Sequence, residues 1–319
     1  MTTARATEER PEQGPAERGG LSLKAKLAIA LGVYLLVAIV LYAIFGSDGR
    51  NEEFQPQDEF KLDPWIELKI GSLDLSFNKA VLYLLIACAL TAGTMLLISK
   101  RMQQRPNRTQ TIIEGAYDLT YNNIAKGNMP EDAAAKWFPF VATLFFFIWF
   151  SNMIGYLPLP VNDHETVDIV GIEFPAFALY AATANLSIPL VLTLTVFFLY
   201  QAEGIRRHGL VKYFKGWLPA GVSGAAAVPI FVIEVISQFV RIISLSVRLF
   251  ANILAGHLLI LFMGGGLAVL LGIAALGWIT LPVAIAFFIF EVGLIATLQA
   301  FIFATLTSIY FGEATAGGH

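Results

Sequence analysis

VSGAAAVPIFVIEVISQFVRIISLSVRLFANILAGHLLILFM, residues 222–263, is an apolar run interrupted by only three charged side chains, Glu234, Arg241 and Arg248. As one continuous helix it would be about 60 Å long, roughly twice the ~30 Å hydrocarbon thickness of a bilayer. A second run, 267–311, carries the same excess, and Gly264-Gly265-Gly266 between the two reads as a turn. Two over-long apolar helices joined by a turn predict a steeply tilted hairpin with a long lateral face inside the membrane. The polar residues of the first run are not scattered. At 100° per residue, Glu234, Gln238, Arg241, Arg248 and Asn252 fall within an arc of about 80°, and Ser237 and Ser244 extend that stripe. His257 projects on nearly the opposite side.

Working outward, further spans are expected at about residues 27–45, 79–98, 137–157 and 176–200, which makes an all-α, polytopic integral membrane protein of six helices. Residues 1–24 are polar and rich in Glu, Arg, Pro and Gly, and are expected to form a disordered cytoplasmic tail. The first apolar run, 25–46 with its flanks, competes with a signal-peptide reading. The long polar lead and the lack of an A-x-A site at Phe45-Gly46-Ser47 favour a retained helix. Residues 47–78 form an acidic extracytoplasmic loop, and 79–319 the main membrane domain. Between the second and third spans, Ile113, Tyr117, Tyr121 and Ile124 recur at helical spacing over 111–125, as in a helix lying at the membrane surface.

Loop charges orient the chain. Lys100, Arg101, Arg105, Arg108, Lys126 and Lys136 follow the second span, and Arg206, Arg207, Lys212 and Lys215 follow the fourth. Residues 158–175 hold Asp163, Glu165, Asp168 and Glu173 and no Lys or Arg. The positive-inside rule then places both termini in the cytoplasm. Overall, 56% of the 319 residues are hydrophobic and 14% charged, far from the roughly 25% charged of soluble domains. The net charge of −3 gives no reason to expect nucleic acid as a partner. Cys88 is the only cysteine, the four histidines are scattered, and no phosphate-binding glycine loop is present, so neither metal nor cofactor is expected and nucleotide chemistry must belong to another chain.

The intramembrane ionisable groups carry the functional argument. An arginine near the bilayer centre costs at least ~2.5–3.5 kcal/mol, so Arg248, with apolar sequence on both sides, needs a carboxylate or a water cavity. Glu234 and Glu291 are available within the chain, and a partner with a buried carboxylate is the other candidate. Arg241, nearer the cytoplasmic end, can equally be a snorkelling or structural residue, and His257 alone a packing histidine.

Ser244-Leu245-Ser246-Val247-Arg248-Leu249-Phe250-Ala251-Asn252-Ile253-Leu254-Ala255-Gly256 resembles the S-L-x-x-R-L-F-x-N-x-x-A-G signature of subunit a of the F-type ATP synthases, bacterial type. Leu298-Gln299-Ala300-Phe301-Ile302-Phe303, with Leu306-Thr307 ahead of Tyr310, resembles that family's last span. Asn152-Met153-Ile154-Gly155-Tyr156-Leu157-Pro158 resembles the segment closing an earlier one. The resemblance runs over about residues 77–312, in the family's order, and leaves the first helix outside it.

What the resemblance implies is a non-catalytic, proton-translocating stator subunit in a bacterial plasma membrane. It would form two offset half-channels against a rotating ring of c subunits, held by the b-subunit stalk and coupled to the F1 sector. Arg248 matches the essential arginine that attracts each deprotonated rotor carboxylate, Asn252 and Gln299 flank it, and His257 and Glu291 line a proton path. Glu234 matches an acidic position of the cytoplasmic channel, and Asn185 and Ser187 are candidates for the outer one. Glu291 precedes Gln299 by eight positions where the family pattern has seven, which turns it by about 100° on a regular helix unless a local bulge absorbs the extra residue. Proton or sodium coupling is left to the ring. The alternative from another class is a secondary proton-coupled transporter, which predicts inverted repeats; the two halves differ in charge, length and motif.

Overall fold

The computed structural model describes residues 22–45, 60–70, 73–74, 76–100, 108–160, 166–169, 172–175, 177–218, 224–266 and 274–316. Most of the expected N-terminal tail, most of the first half of the acidic loop, and the stretch just after the three glycines lie outside these residues.

Helix α1 (Leu23–Phe45) is built largely of Ala, Leu, Val and Ile. Helix α2 (Lys79–Lys100) starts at Asn78, whose Oδ1 accepts the Val81 N–H at 3.1 Å and so satisfies one of the free amides of the first turn. Helix α3 (Arg108–Asp118) runs through a π-helical segment, Leu119–Ala125, into the short α4 (Lys126–Asn128). This is the helix expected over 111–125. Tyr117 and Tyr121 each set an edge against Phe138 at 5.0 Å, and Ile124 is fully buried. Helix α5 (Glu131–Gly155) opens with Glu131 and Asp132, which complement the positive end of its dipole. Helix α6 (Ser187–His208) closes on Arg206, Arg207 and His208 for the converse reason and leads to the short α7 (Leu210–Lys215).

Helix α8 (Ala227–Leu261) runs on into Phe262–Gly266, where Gly265 (φ +157°, ψ −24°) leaves helical geometry, so the chain breaks at the three glycines as expected. The last run is α9 (Ala274–Phe290), a π-helical segment Glu291–Ile295, and α10 (Ala296–Thr315). Among the described residues, five helical stretches are long and apolar enough to cross a membrane, two of them 40 residues long, and α1 adds a further apolar helix. Three small antiparallel pairs, unexpected from sequence, lie between helices: β1 (Lys69–Ile70) with β2 (Leu73–Asp74), β3 (Leu159–Pro160) with β6 (Phe177–Ala178), and β4 (Thr166–Ile169) with β5 (Ile172–Pro175). At two to four residues each, they leave the fold all-α.

Helix α5 is the centre of packing, with α2 against one side and α10 against another; α6 touches both α8 and α10, and α1 packs on α9. Val141, Phe145 and Ile148 of α5 share one core with Leu249 and Ile253 of α8 and Phe303 and Phe311 of α10. In lipid this association rests on close packing more than on expulsion of water, and small residues permit it. A Cβ on Gly155 would lie 2.4 Å from that of Ala181, so only glycine allows the end of α5 to approach the turn before α6.

Candidate functional site

Helix α8 has one inward and one outward stripe. Ile242, Leu245, Leu249, Ile253, Gly256 and His257 are buried, while Val240, Ser244, Val247, Arg248 and Asn252 are exposed. The 3.6-residue period therefore presents Arg248 to the surroundings and sends His257 into the protein.

The inward side carries a closed polar cluster. Both ring nitrogens of the buried His257 face carbonyl oxygens at 3.0 Å, Nδ1 that of Ile253 and Nε2 that of Gly155. A neutral imidazole donates to one of them and an imidazolium to both. Tyr156 stacks on the His257 ring at 4.6 Å and donates its hydroxyl proton to Glu291 Oε2 at 3.0 Å. Gly256 makes the seat for that carboxyl group, since a Cβ there would stand 2.4–2.5 Å from its atoms. His257 and Glu291 are thus brought into one cluster through Tyr156.

The position of Glu291 follows from the backbone. Glu291–Ile295 is π-helical, and a π turn takes one more residue than an α turn. The bulge absorbs the eighth residue of the Glu291–Gln299 spacing, and both side chains are buried. Nearby, Thr183 donates to Asn152 Oδ1 at 2.7 Å while Asn152 Nδ2 reaches the Ala296 carbonyl at 3.5 Å, so Asn152 ties the turn before α6 to the start of α10.

At the other end of α8 lies an open cluster. Tyr200 donates to Gln238 Oε1 at 2.7 Å, and Gln238 Nε2 donates to Glu234 Oε1 at 3.0 Å. These three line a cavity of about 510 Å³. Arg241 lines it too, ion-paired with Glu313 of α10 and standing 5.2 Å over the Tyr310 ring.

Arg248 sits between the clusters. It is about 21 Å along the helix axis from Glu234 and about 14 Å from His257 at 1.5 Å per residue. Among the described residues it makes no ion pair, so neither Glu234 nor Glu291 serves as its internal counter-ion. Asn252, one turn on, is exposed beside it. Asn185 accepts the Ser187 N–H at 3.0 Å and so starts α6, while Ser187 is exposed. Among the described residues no group of three His, Cys, Asp or Glu could hold a metal.

Several partners were not anticipated. Tyr200 and Glu313 come from other helices, and Tyr156 from the turn that follows α5. A further set joins α5, α6 and α10: buried Glu203 accepts from Lys136 at 2.6 Å and from Arg206 at 3.0 Å, and Arg207 bonds Asp132 and the Thr315 carbonyl. The i,i+3 spacing of Glu203 and Arg206 was a usable signal for part of it.

Residues 81–312 match the family described as ATP synthase A chain. The chain belongs to that family. It is 34% identical over 247 residues to the ATP synthase subunit a of Rubrobacter xylanophilus, covering 77% of this chain and 86% of that one. To the subunit a of Bradyrhizobium diazoefficiens it is 33% identical over 273 residues, 84% of this chain and 100% of the relative. The Hyphomonas neptunium subunit a is 31% identical over 269 residues, 81% and 95% respectively. As an ATP synthase A chain it is the proton-translocating stator subunit of the synthase's membrane sector, which disfavours the secondary-transporter alternative.

Proposed function

We propose that the outward stripe of α8 meets a ring of c subunits, and that Arg248 receives each rotor carboxylate as it passes. The observation that carries this is an exposed arginine in an apolar stretch with no ion pair among the described residues, on the face opposite His257. An uncompensated guanidinium at that depth calls for an anion, and a positive neighbour favours the ionised state of a carboxylate. Arginine suits the task because it keeps its charge at any physiological pH.

The two polar clusters then serve two offset half-channels. The one built on His257, Tyr156 and Glu291 takes the proton path on the side of the acidic loops. The cavity at Glu234 and Gln238 takes the cytoplasmic path, on the side of Lys212 and Lys215. Asn252 and Gln299 flank Arg248 at the transfer point, with Asn185 and Ser187 towards the outer path. Because Arg248 lies between the clusters, a proton passes from one to the other only on the rotor. One charge crossing 100 mV yields about 2.3 kcal/mol, so several protons are needed per ATP. The subunit is non-catalytic in this reading, resides in a bacterial plasma membrane with both termini in the cytoplasm, and works with the b-subunit stalk and the F1 sector.

Arg248→Gln tests it. ATP-driven acidification of inverted membrane vesicles should vanish while immunoblotting finds the complex assembled. Normal pumping by that variant would refute the assignment.

A further inference from the structure

Arg241 lies seven residues before Arg248, two turns of α8, so the two guanidinium groups share one stripe about 10.5 Å apart along the axis. Both are permanent cations, and only Ser244 and apolar residues separate them on the exposed side. A mobile carboxylate drawn to this stripe has two places to stop. Their surroundings differ. Arg241 is half-buried and paired with Glu313, with Tyr310 beneath it, whereas Arg248 is exposed and unpaired among the described residues.

Glu313 stands in the last turn of α10, where the helix dipole disfavours a carboxylate. Arg241 is the cation it pairs with, and the half-exposed carboxylate is otherwise met by solvent. The cavity these residues line also carries Lys212 and Lys215, against Glu234 and Glu313 as the acidic members. Without Glu313, that end of the stripe would be strongly positive at a distance comparable with the ~10 Å screening length of 0.1 M salt.

We propose that Glu313 masks Arg241, so that Arg248 is the single net positive charge offered to the rotor. Glu313 is then a positioning residue for ion transfer, acting through Arg241. With the mask gone, a deprotonated rotor carboxylate dwells at Arg241, two turns from its transfer point, and turnover slows. This rests on the reading of Arg248 given above.

The experiment uses the whole synthase in inverted vesicles, with pumping scaled to assembled complex by immunoblot. Glu313→Gln should slow ATP-driven pumping about tenfold, the rate effect of a trap ~1.4 kcal/mol deep. Arg241→Gln should pump about fivefold or more faster than Glu313→Gln, and the double variant should recover to the Arg241→Gln level, since coupled partners are non-additive. A purely structural pair predicts instead that both single variants are impaired alike and that the double is no better. That pattern, or normal pumping by Glu313→Gln, would overturn the proposal. Should Glu313→Gln assemble poorly, Arg241→Gln decides: masking requires that it assemble normally, a structural pair requires the same assembly defect. Arg248→Gln runs alongside. Pumping that survives it removes the underlying reading, whereas its loss together with normal Glu313→Gln pumping removes only the mask.

Discussion

The two polar clusters on α8 differ in their relation to solvent. At one end Tyr156, His257 and Glu291, about as buried as Tyr200 and Gln238 at the other, pack directly on one another with a glycine shaped around the carboxyl group. At the other, Tyr200, Gln238 and Glu234 border a cavity of about 510 Å³, large enough for several waters. A closed cluster must pass protons between fixed side chains, so each member is irreplaceable. An open one can delegate the work to water, so its members are individually dispensable. On the proposed reading, the same helix supports two kinds of proton path, one made of residues and one made of space.

Four substitutions break or sharpen that contrast. The largest effect is expected from Glu291→Gln, which removes the only carboxylate of the closed cluster. ATP-driven pumping should fall by about a hundredfold or more, an added barrier of ~2.7 kcal/mol, with the complex assembled. A residual rate near that of the parent would show that water enters there after all. Gly256→Ala should follow, with about a tenfold loss: its methyl group displaces a flexible carboxyl group, so the seat is lost while the helices still pack. Normal pumping by this variant would mean that the position of Glu291 is immaterial.

Cysteine scanning then separates the two ends directly. In a Cys88→Ala background, Glu234→Cys should react with a water-soluble maleimide about tenfold or more faster than Glu291→Cys, because alkylation needs a hydrated thiolate. Equal rates would erase the distinction between closed and open. The smallest effect belongs to Tyr200→Phe, which deletes one hydrogen bond worth about 1 kcal/mol at the edge of the cavity and should change pumping less than about twofold. A severe defect there would make the open cluster as exacting as the closed one.

How much of this was readable beforehand depended on whether a feature was local. The stripe from Glu234 to Asn252, with His257 behind it, follows from a single period in one run; the structure opens it at Arg248 and Asn252 and covers it at Gln238, which bonds Tyr200. The helix carrying Tyr117, Tyr121 and Ile124 was legible for the same reason. Glu313 was not, because its partner stands 72 residues away on another helix and both lie in stretches whose polar residues alone suggest no pairing. Tyr156 was quoted within a motif, yet its hydroxyl meets Glu291 across 135 residues. Most of the small β strands fell in acidic loops with too few residues to show alternation, but β6 (Phe177–Ala178) lies where the fourth span was expected to begin, and the helix there starts only at Ser187. The spacing of Glu291 and Gln299 was a half-way case: the anomaly was visible, while its resolution required the backbone.

That resolution has a consequence for how such chains change. The π-helical turn at Glu291–Ile295 works as a vernier between two lengths of helix. The length before it keeps its azimuth towards His257, and the length after it keeps its azimuth towards α5, although one more residue lies between them than a straight helix would hold. Deleting a residue such as Gly293 would close the turn into an ordinary helix and leave both buried faces where they are. A chain can therefore gain or lose a residue at this place without turning a carboxylate out to lipid, and a relative one residue shorter in this run should be aligned with its gap there.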